Sequence, residues 1–294
     1  MAEQATPQRD QATTLRSLNR AADSGRATRV LSVTSGKGGV GKTTTAANLA
    51  VLLSRMGQRV LILDADLGLA NIDVVFGLAP NHNLNHFFSG EQTLEAILVE
   101  GPEGIRILPA GSGVQRFTRL DSEQKMQLLE ALDGMHSEFD FVLIATEAGI
   151  SENVTYFNTA AQEILVVTTP DPTAITDAYA LMKLLSNQFH EKHFNLVVNF
   201  IRNEEEALDV YRKLTMVATG YLDIAIDYIG SIPRDKLMVE AIRRQQVLVQ
   251  LFPECRTSQA FEALARTVLQ EPHAAEPKGS IQFFWRRLLE FGAR

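Results

Sequence analysis

Cysteine is almost absent from this chain: among its 294 residues only Cys255 carries a thiol. That excludes an internal disulfide and any redox or metal centre built from several thiolates of one subunit. Long hydrophobic runs are missing as well. No apolar stretch reaches the roughly 18 residues that a membrane span requires, and residues 1–29 are too polar for a secretory signal. The expectation is a cytoplasmic protein. Positive charge is scarce, with 28 Lys plus Arg against 35 Asp plus Glu and a net charge of −7. Both ends carry a slight basic excess, so the acidic deficit lies in the body. Such a body suits non-specific DNA binding poorly, because phosphate neutralisation needs a concentrated cationic face. No specific nucleic-acid partner is expected. Internal repeats and low-complexity tracts are also lacking. What remains is ordinary: 45 % hydrophobic and 21 % charged residues, enough to build a core and to exclude disorder as the dominant state.

The body reads as strands alternating with helices. Apolar runs without polar alternation occur at Arg29–Thr34, Val60–Leu63, Ile105–Leu108, Phe139–Ile144, Ile164–Thr168, Leu196–Asn199 and Ile224–Ile229. Helical patterns lie at 43–56, 121–136, 173–188, 203–218 and 257–270. Strands buried on both faces and separated by helices predict an α/β fold, a doubly wound and mostly parallel sheet flanked by helices. Asp23–Thr28 and Pro272–Gly279 read as linkers. The predicted organisation is therefore an N-terminal extension (1–28), a nucleotide-binding body (29–271), and a linker with a C-terminal helix (272–294).

The strongest chemical signal follows the first strand. Gly36, Lys37, Gly38, Gly39, Val40, Gly41, Lys42 and Thr43 fit the phosphate-loop pattern, Gly, four residues, Gly-Lys-Thr. Context agrees, since the loop leaves a buried strand and opens a helix that continues through Thr44. Glycines let the backbone wrap closely, so that successive N–H groups face phosphate oxygens at a helix N-terminus. Lys42 is placed to neutralise β/γ-phosphate charge, and the Thr43 hydroxyl to ligate Mg²⁺. ATP or ADP with Mg²⁺ is the expected cofactor.

Lys37 is a lysine that the generic pattern does not require. The Lys-Gly-Gly-x-Gly-Lys-Thr form resembles the deviant phosphate loop of the MinD/ParA class of ATPases. That resemblance implies a fold of the P-loop NTPase type and an ATP-dependent homodimer, in which Lys37 reaches the partner's nucleotide. It also implies that Asp66 orients the attacking water, that Asn71 belongs to the same switch, and that Asp64 supports the Mg²⁺ environment. Asn199 matches an adenine-contacting asparagine, and Ile232-Pro233-Arg234-Asp235 matches a segment packing on the base, with Pro233 and Asp235 as its contributors. A carboxylate at a strand's C-terminal end beside the phosphate loop is well placed to hold water or metal.

One position departs from this class. Where its third switch segment usually has aspartate, Leu143-Ile144-Ala145-Thr146-Glu147-Ala148-Gly149-Ile150 has Ala145. Alanine has no lone pair to offer, so the expectation is retained ATP binding with slow or disabled hydrolysis.

The ends carry a narrower resemblance. Asp10-Gln11-Ala12-Thr13-Thr14-Leu15-Arg16, placed ahead of this type of body, resembles the N-terminal motif of the FlhG family (also called FleN or YlxH) of MinD-like flagellar regulators. Asp64 to Asn71, Pro109 to Gln115 and Thr173 to Ala180 are similar to that family too. There the N-terminal motif stimulates the SRP-type GTPase FlhF, which implies that Asp10, Gln11, Leu15 and Arg16 meet FlhF. Residues Ile281, Phe284, Trp285, Leu288, Leu289 and Phe291 fall on one side of a helical wheel, with arginines opposite. Such a helix suits either an anionic membrane interface or docking on the protein's own core.

These readings together predict a membrane-associated ATPase switch that regulates flagellar number or placement. Its partners would be a second copy, FlhF, inner-membrane lipids, and flagellar switch proteins or a transcription regulator. A cell-division MinD or a ParA-type DNA-partition ATPase are the alternatives; a nitrogenase-type iron protein needs more cysteine than Cys255 supplies.

Overall fold

The computed structural model describes residues 28–66, 72–109, 127, 131, 135 and 138–270. The expected FlhF-facing residues Asp10–Arg16, the switch residue Asn71, most of the expected helix at 121–136, and the amphipathic stretch 281–291 lie outside them.

Eight strands form one sheet: β1 (Arg29–Ser35), β2 (Val60–Ala65), β3 (Val99–Glu100), β4 (Arg106–Leu108), β5 (Phe141–Ala148), β6 (Glu163–Thr168), β7 (His193–Ile201) and β8 (Ala225–Pro233). Their order is β3-β4-β2-β5-β1-β6-β7-β8, parallel except for the β3–β4 pair. The doubly wound expectation is met. Ten helices are described: α1 (Lys42–Arg55), α2 (Ile72–Phe76), α3 (Leu84–Phe88), α4 (Leu94–Ile97), α5 (Glu152–Ala160), α6 (Pro172–Phe189), α7 (Glu204–Tyr221), α8 (Lys236–Arg243), α9 (Leu248–Leu251) and α10 (Arg256–Gln270).

Strand periodicity explains why the central strands read as continuous apolar runs. Successive side chains alternate between faces, and both faces are covered. On one face Leu31, Val33, Leu143, Ala145, Leu165 and Val167 pack with α1 and α10. On the other, Val30, Val142 and Ile144 meet Tyr156 and Phe157 of α5, while Ile164, Val166 and Leu196 meet Leu181 and Leu185 of α6.

The chain turns at β1. From β1 it crosses β5 to reach β2, whereas from β5 it crosses β1 to reach β6. The C-terminal end of β1 is therefore a topological switch point, where connections diverge and leave a crevice for a ligand. The phosphate-loop sequence occupies that end.

Some boundaries differ from the sequence reading. Thr28 is not linker: it is buried, and its hydroxyl donates to the Phe139 carbonyl at 2.8 Å. Strand β5 runs past Ile144 to Ala148, because parallel partners on both sides continue to supply backbone hydrogen bonds. Helix α5 escaped the sequence reading since its residues Asn153, Thr155, Asn158 and Thr159 are polar yet buried, which hides an apolar stripe. Their demands are met locally, as where Asn158 Nδ2 donates to Val154 O at 2.7 Å. The antiparallel β3 is only two residues long and carries no periodic signal.

Candidate nucleotide site

The loop from Gly36 to Lys42 connects β1 to α1 as the sequence implied. Gly41 caps α1 with φ +93°, in the left-handed region that glycine tolerates. A side chain there would also collide, since a Cβ would stand 2.2 Å from Asn199 Nδ2. At the start of the loop a Cβ on Gly36 would stand 2.1 Å from the Asp177 carbonyl oxygen, so α6 approaches the backbone itself. The loop is braced from within and without. Ser35 Oγ donates to the Lys37 carbonyl at 2.7 Å, and Asn199 Nδ2 donates to the Val40 carbonyl at 2.8 Å.

Lys42 is only 8 % exposed, and no acceptor among the described residues pairs with its ammonium. Burial pushes its pKa down, while Asp66 and Glu147 push it up. Burying a cation is costly, and a ligand anion beside it relieves the cost. The neighbouring hydroxyls divide in the same sense. Thr44 and Thr45 both turn back to donate to the Gly41 carbonyl, at 2.9 and 2.8 Å. No described residue takes the Thr43 hydroxyl. Among the described residues, no hydrogen bond engages either of the two groups expected to meet phosphate and Mg²⁺.

A cleft of about 580 Å³ opens beside the loop, lined by Gly39, Gly41 to Thr44, Asn199, Phe200, Ile232 to Asp235, and α8 through Met238, Val239 and Ile242. Its polar end is the phosphate loop and its far wall is apolar, a division that fits a nucleotide with phosphates and a flat base. The donor set and the cleft therefore fit ATP or ADP with Mg²⁺.

Several expected site residues are committed inside the protein. Asp64 is buried, and its two oxygens accept from the backbone N–H of Asp66 at 3.1 Å and of Ile72 at 3.0 Å. It ties the end of β2 to the start of α2. Asp66, just past β2, is the more accessible carboxylate. Asn199 Oδ1 accepts from Phe200 N at 2.8 Å, leaving one amide N–H for a base. Asp235 lines the cleft but also caps α8, accepting from Leu237 N at 2.9 Å and from Thr257 Oγ1 at 3.0 Å. Lys37 is half-exposed and held within its own chain: Nζ lies 3.0 Å from Asp171 Oδ2 and donates to Thr173 Oγ1. Asp171 in turn caps α6 by accepting from Thr173 N at 2.8 Å. The Lys37 ammonium, then the Thr173 N–H and hydroxyl, hold its carboxyl well down, at about 2.

Sequence reasoning missed Phe200, Met238, Val239 and Ile242. The signal for α8 was present in Asp235 as an N-cap before apolar positions at helical spacing.

Residues 26–269 match a family model described as ParA, NUBPL iron-transfer P-loop NTPase. The chain is 41 % identical over 265 residues to the antiactivator FleN of Pseudomonas aeruginosa, covering 90 % of this chain and 95 % of that protein.

The chain belongs to the FleN/YlxH family of MinD/ParA-type ATPases.

A second relative in this family, the flagellum site-determining protein YlxH of Helicobacter pylori, is 33 % identical over 268 residues and 90 % of each chain. The fold agrees with a solved structure of the septum site-determining protein MinD of Pyrococcus horikoshii in complex with Mg-ADP. That match has a TM-score of 0.65 and 28 % identity over 83 % of this chain and 96 % of MinD. Iron transfer, which appears in the description of the family model, finds no thiolate set here, because Cys255 stands alone in the sequence. Nucleotide binding with Mg²⁺ is the shared property of these P-loop ATPases, and the FleN/YlxH site described above retains the groups for it.

Proposed function

We propose that this chain is an ATP-driven switch that restricts flagellar number or placement, cycling between a monomer after hydrolysis and an ATP-bound homodimer on the inner face of the cell membrane. The observation that carries this reading is the largely buried Lys42 lining the phosphate end of the cleft, in a chain 41 % identical to the antiactivator FleN and 33 % identical to the flagellum site-determining protein YlxH.

The residues divide the work. Backbone N–H groups of the Gly36–Lys42 loop and the start of α1 bind phosphate oxygens, and Lys42 neutralises their charge. Thr43 holds the metal through its hydroxyl, and Asp66 orients water for attack. Held by the Thr43 hydroxyl, Mg²⁺ would supply charge neutralisation at the phosphates. Asn199 and Pro233 border the base. Lys37 leaves Asp171 and Thr173 on dimerisation and reaches the nucleotide of the second copy. Ala145 offers no oxygen, so hydrolysis is slow and the dimer long-lived; Ala145→Asp raises turnover. From the sequence, Asp10, Gln11, Leu15 and Arg16 stimulate FlhF, and the apolar row Ile281, Phe284, Trp285, Leu288, Leu289 and Phe291 enters the lipid surface. Two such helices per dimer bind by avidity where one is too weak.

The test is a count of flagella per cell in a bacterium lacking its own FleN-type protein. Supplying this chain restores the normal number, and Lys42→Ala does not. Equal numbers with both forms would refute a nucleotide-switched regulator.

A further inference from the structure

Two carboxylates act on Lys42, and they come from neighbouring strand ends. Asp66 follows β2, and Glu147 lies near the end of β5. The strands pair directly, with Ala65 opposite Thr146, so both carboxylates stand at the same edge of the sheet, over the phosphate loop. Asp64, the other acid at this edge, is buried and uses both oxygens on backbone N–H groups. Ala145 brings none.

The backbone at Glu147 is not regular. Val33 pairs with Ala145, but Ser35 pairs with Ala148, so β5 carries one more residue than β1 over this stretch. Such a bulge re-aims a side chain, and bulges recur next to functional sites. It is pinned on both sides. Thr146 Oγ1 lies 3.0 Å from Thr34 Oγ1, and Gly149 N donates to the Ser35 carbonyl at 2.9 Å. Ala148 then packs against the loop, where a Cβ on Gly38 would be 4.0 Å from its own. The Glu147 side chain is partly buried, and one oxygen accepts from Ser151 Oγ, the N-cap of α5. Among the described residues no other donor reaches the second oxygen. A half-held carboxylate at the same strand edge as a largely buried lysine suits a cation–anion pair such as a metal-bound phosphate.

We propose that Glu147, placed beside the β5 bulge at the strand end next to Asp66, supplies the acidic group at the metal end of this site by accepting hydrogen bonds from the hydration shell of the nucleotide-bound divalent cation. This rests on the nucleotide reading above and extends it. Magnesium keeps several waters and is held through one or two carboxylates. Asp66 provides one on β2's side, and Glu147 provides the second on β5's side. Glu147 is a positioning residue: it steadies the cation from outside and leaves the attacking water to Asp66.

The test is a Mg²⁺ titration of the fluorescent nucleotide mant-ADP bound to the full chain, read as the Mg²⁺ concentration that half-maximally slows nucleotide release. For Glu147→Gln that concentration rises about tenfold, the scale on which outer-shell partners affect metal affinity. Affinity for mant-ADP in EDTA stays unchanged. Adding Ala145→Asp to Glu147→Gln restores the titration, because a carboxylate is returned to the same edge. An unchanged titration in Glu147→Gln overturns the proposal. So does a loss that Ala145→Asp fails to restore, which would mark Glu147 as a structural partner of Ser151. If the unmodified chain binds no mant-ADP with or without Mg²⁺, the nucleotide reading itself falls, and this inference with it.

Discussion

The side-chain amide of Asn199 donates to the carbonyl of Val40 at 2.8 Å, joining the end of β7 to the phosphate loop across 159 positions of sequence. Asn199 is 2 % exposed, and its oxygen also accepts from Phe200 N. One residue thus fixes the loop and the turn that begins the base-side wall. Asn199→Ala leaves the Val40 carbonyl and the Phe200 N–H unsatisfied, at a cost of about 1–3 kcal/mol. Denaturant unfolding would show that loss, together with weaker nucleotide binding. A variant as stable as the parent would mean that the brace is idle.

Gly41 tests the same contact from the other side. With φ +93° and 2.2 Å between a built Cβ and Asn199 Nδ2, Gly41→Ala adds backbone strain to a collision. Strain of this kind costs about 1–3 kcal/mol. Calorimetry with ADP is expected to show binding abolished in a protein that remains folded by circular dichroism. Tight binding in Gly41→Ala would contradict the loop geometry.

Lys37 and Asp171 form a latch whose titration is readable. The Asp171 carboxyl sits at about 2 instead of 3.8, first through Lys37. For a depressed carboxyl the linked stabilisation is present above pH 3.8 and is lost as pH falls through about 2. Carboxyl-carbon NMR of Asp171 should therefore show no titration near pH 4. In Lys37→Ala the midpoint moves upward. If Asp171 titrates alike in both proteins, Lys37 does not hold it.

Arg29 offers a stability test remote from the nucleotide. Its guanidinium donates to both Glu163 oxygens at 2.7 Å and to the Val268 carbonyl at 2.5 Å, tying β1 to β6 and to the end of α10. Arg29→Ala leaves a shielded carboxylate without its cation, which costs about 3–5 kcal/mol. Thermal melts monitored with saturating and without added nucleotide should shift equally. A shift confined to the nucleotide-bound form would refute a purely structural role.

Much of this organisation is legible in the sequence, and the reasons are local. Val60–Leu63 and Ile164–Thr168 declare buried strands by apolar content, and the Gly36–Thr43 spacing declares the loop. Other features depend on tertiary pairing, which a single sequence does not display. The extension of β5 through Ala148 follows from its neighbours β1 and β2. The hold of Asp64 on Ile72 N, and of Asp171 on Lys37, join groups distant in sequence or hidden by a turn. Helix α5 is concealed because its buried face is polar. Glu147 reads as an incidental surface acid until the bulge beside it is seen.

Under the proposed switch, nucleotide identity would set the oligomeric state of this chain. Sedimentation velocity of the chain with Mg-ATP and with Mg-ADP tests this directly. A dimer with ATP, a monomer with ADP, and a monomer under both conditions for Lys42→Ala are predicted. The same sedimentation coefficient with ATP and ADP would contradict the account.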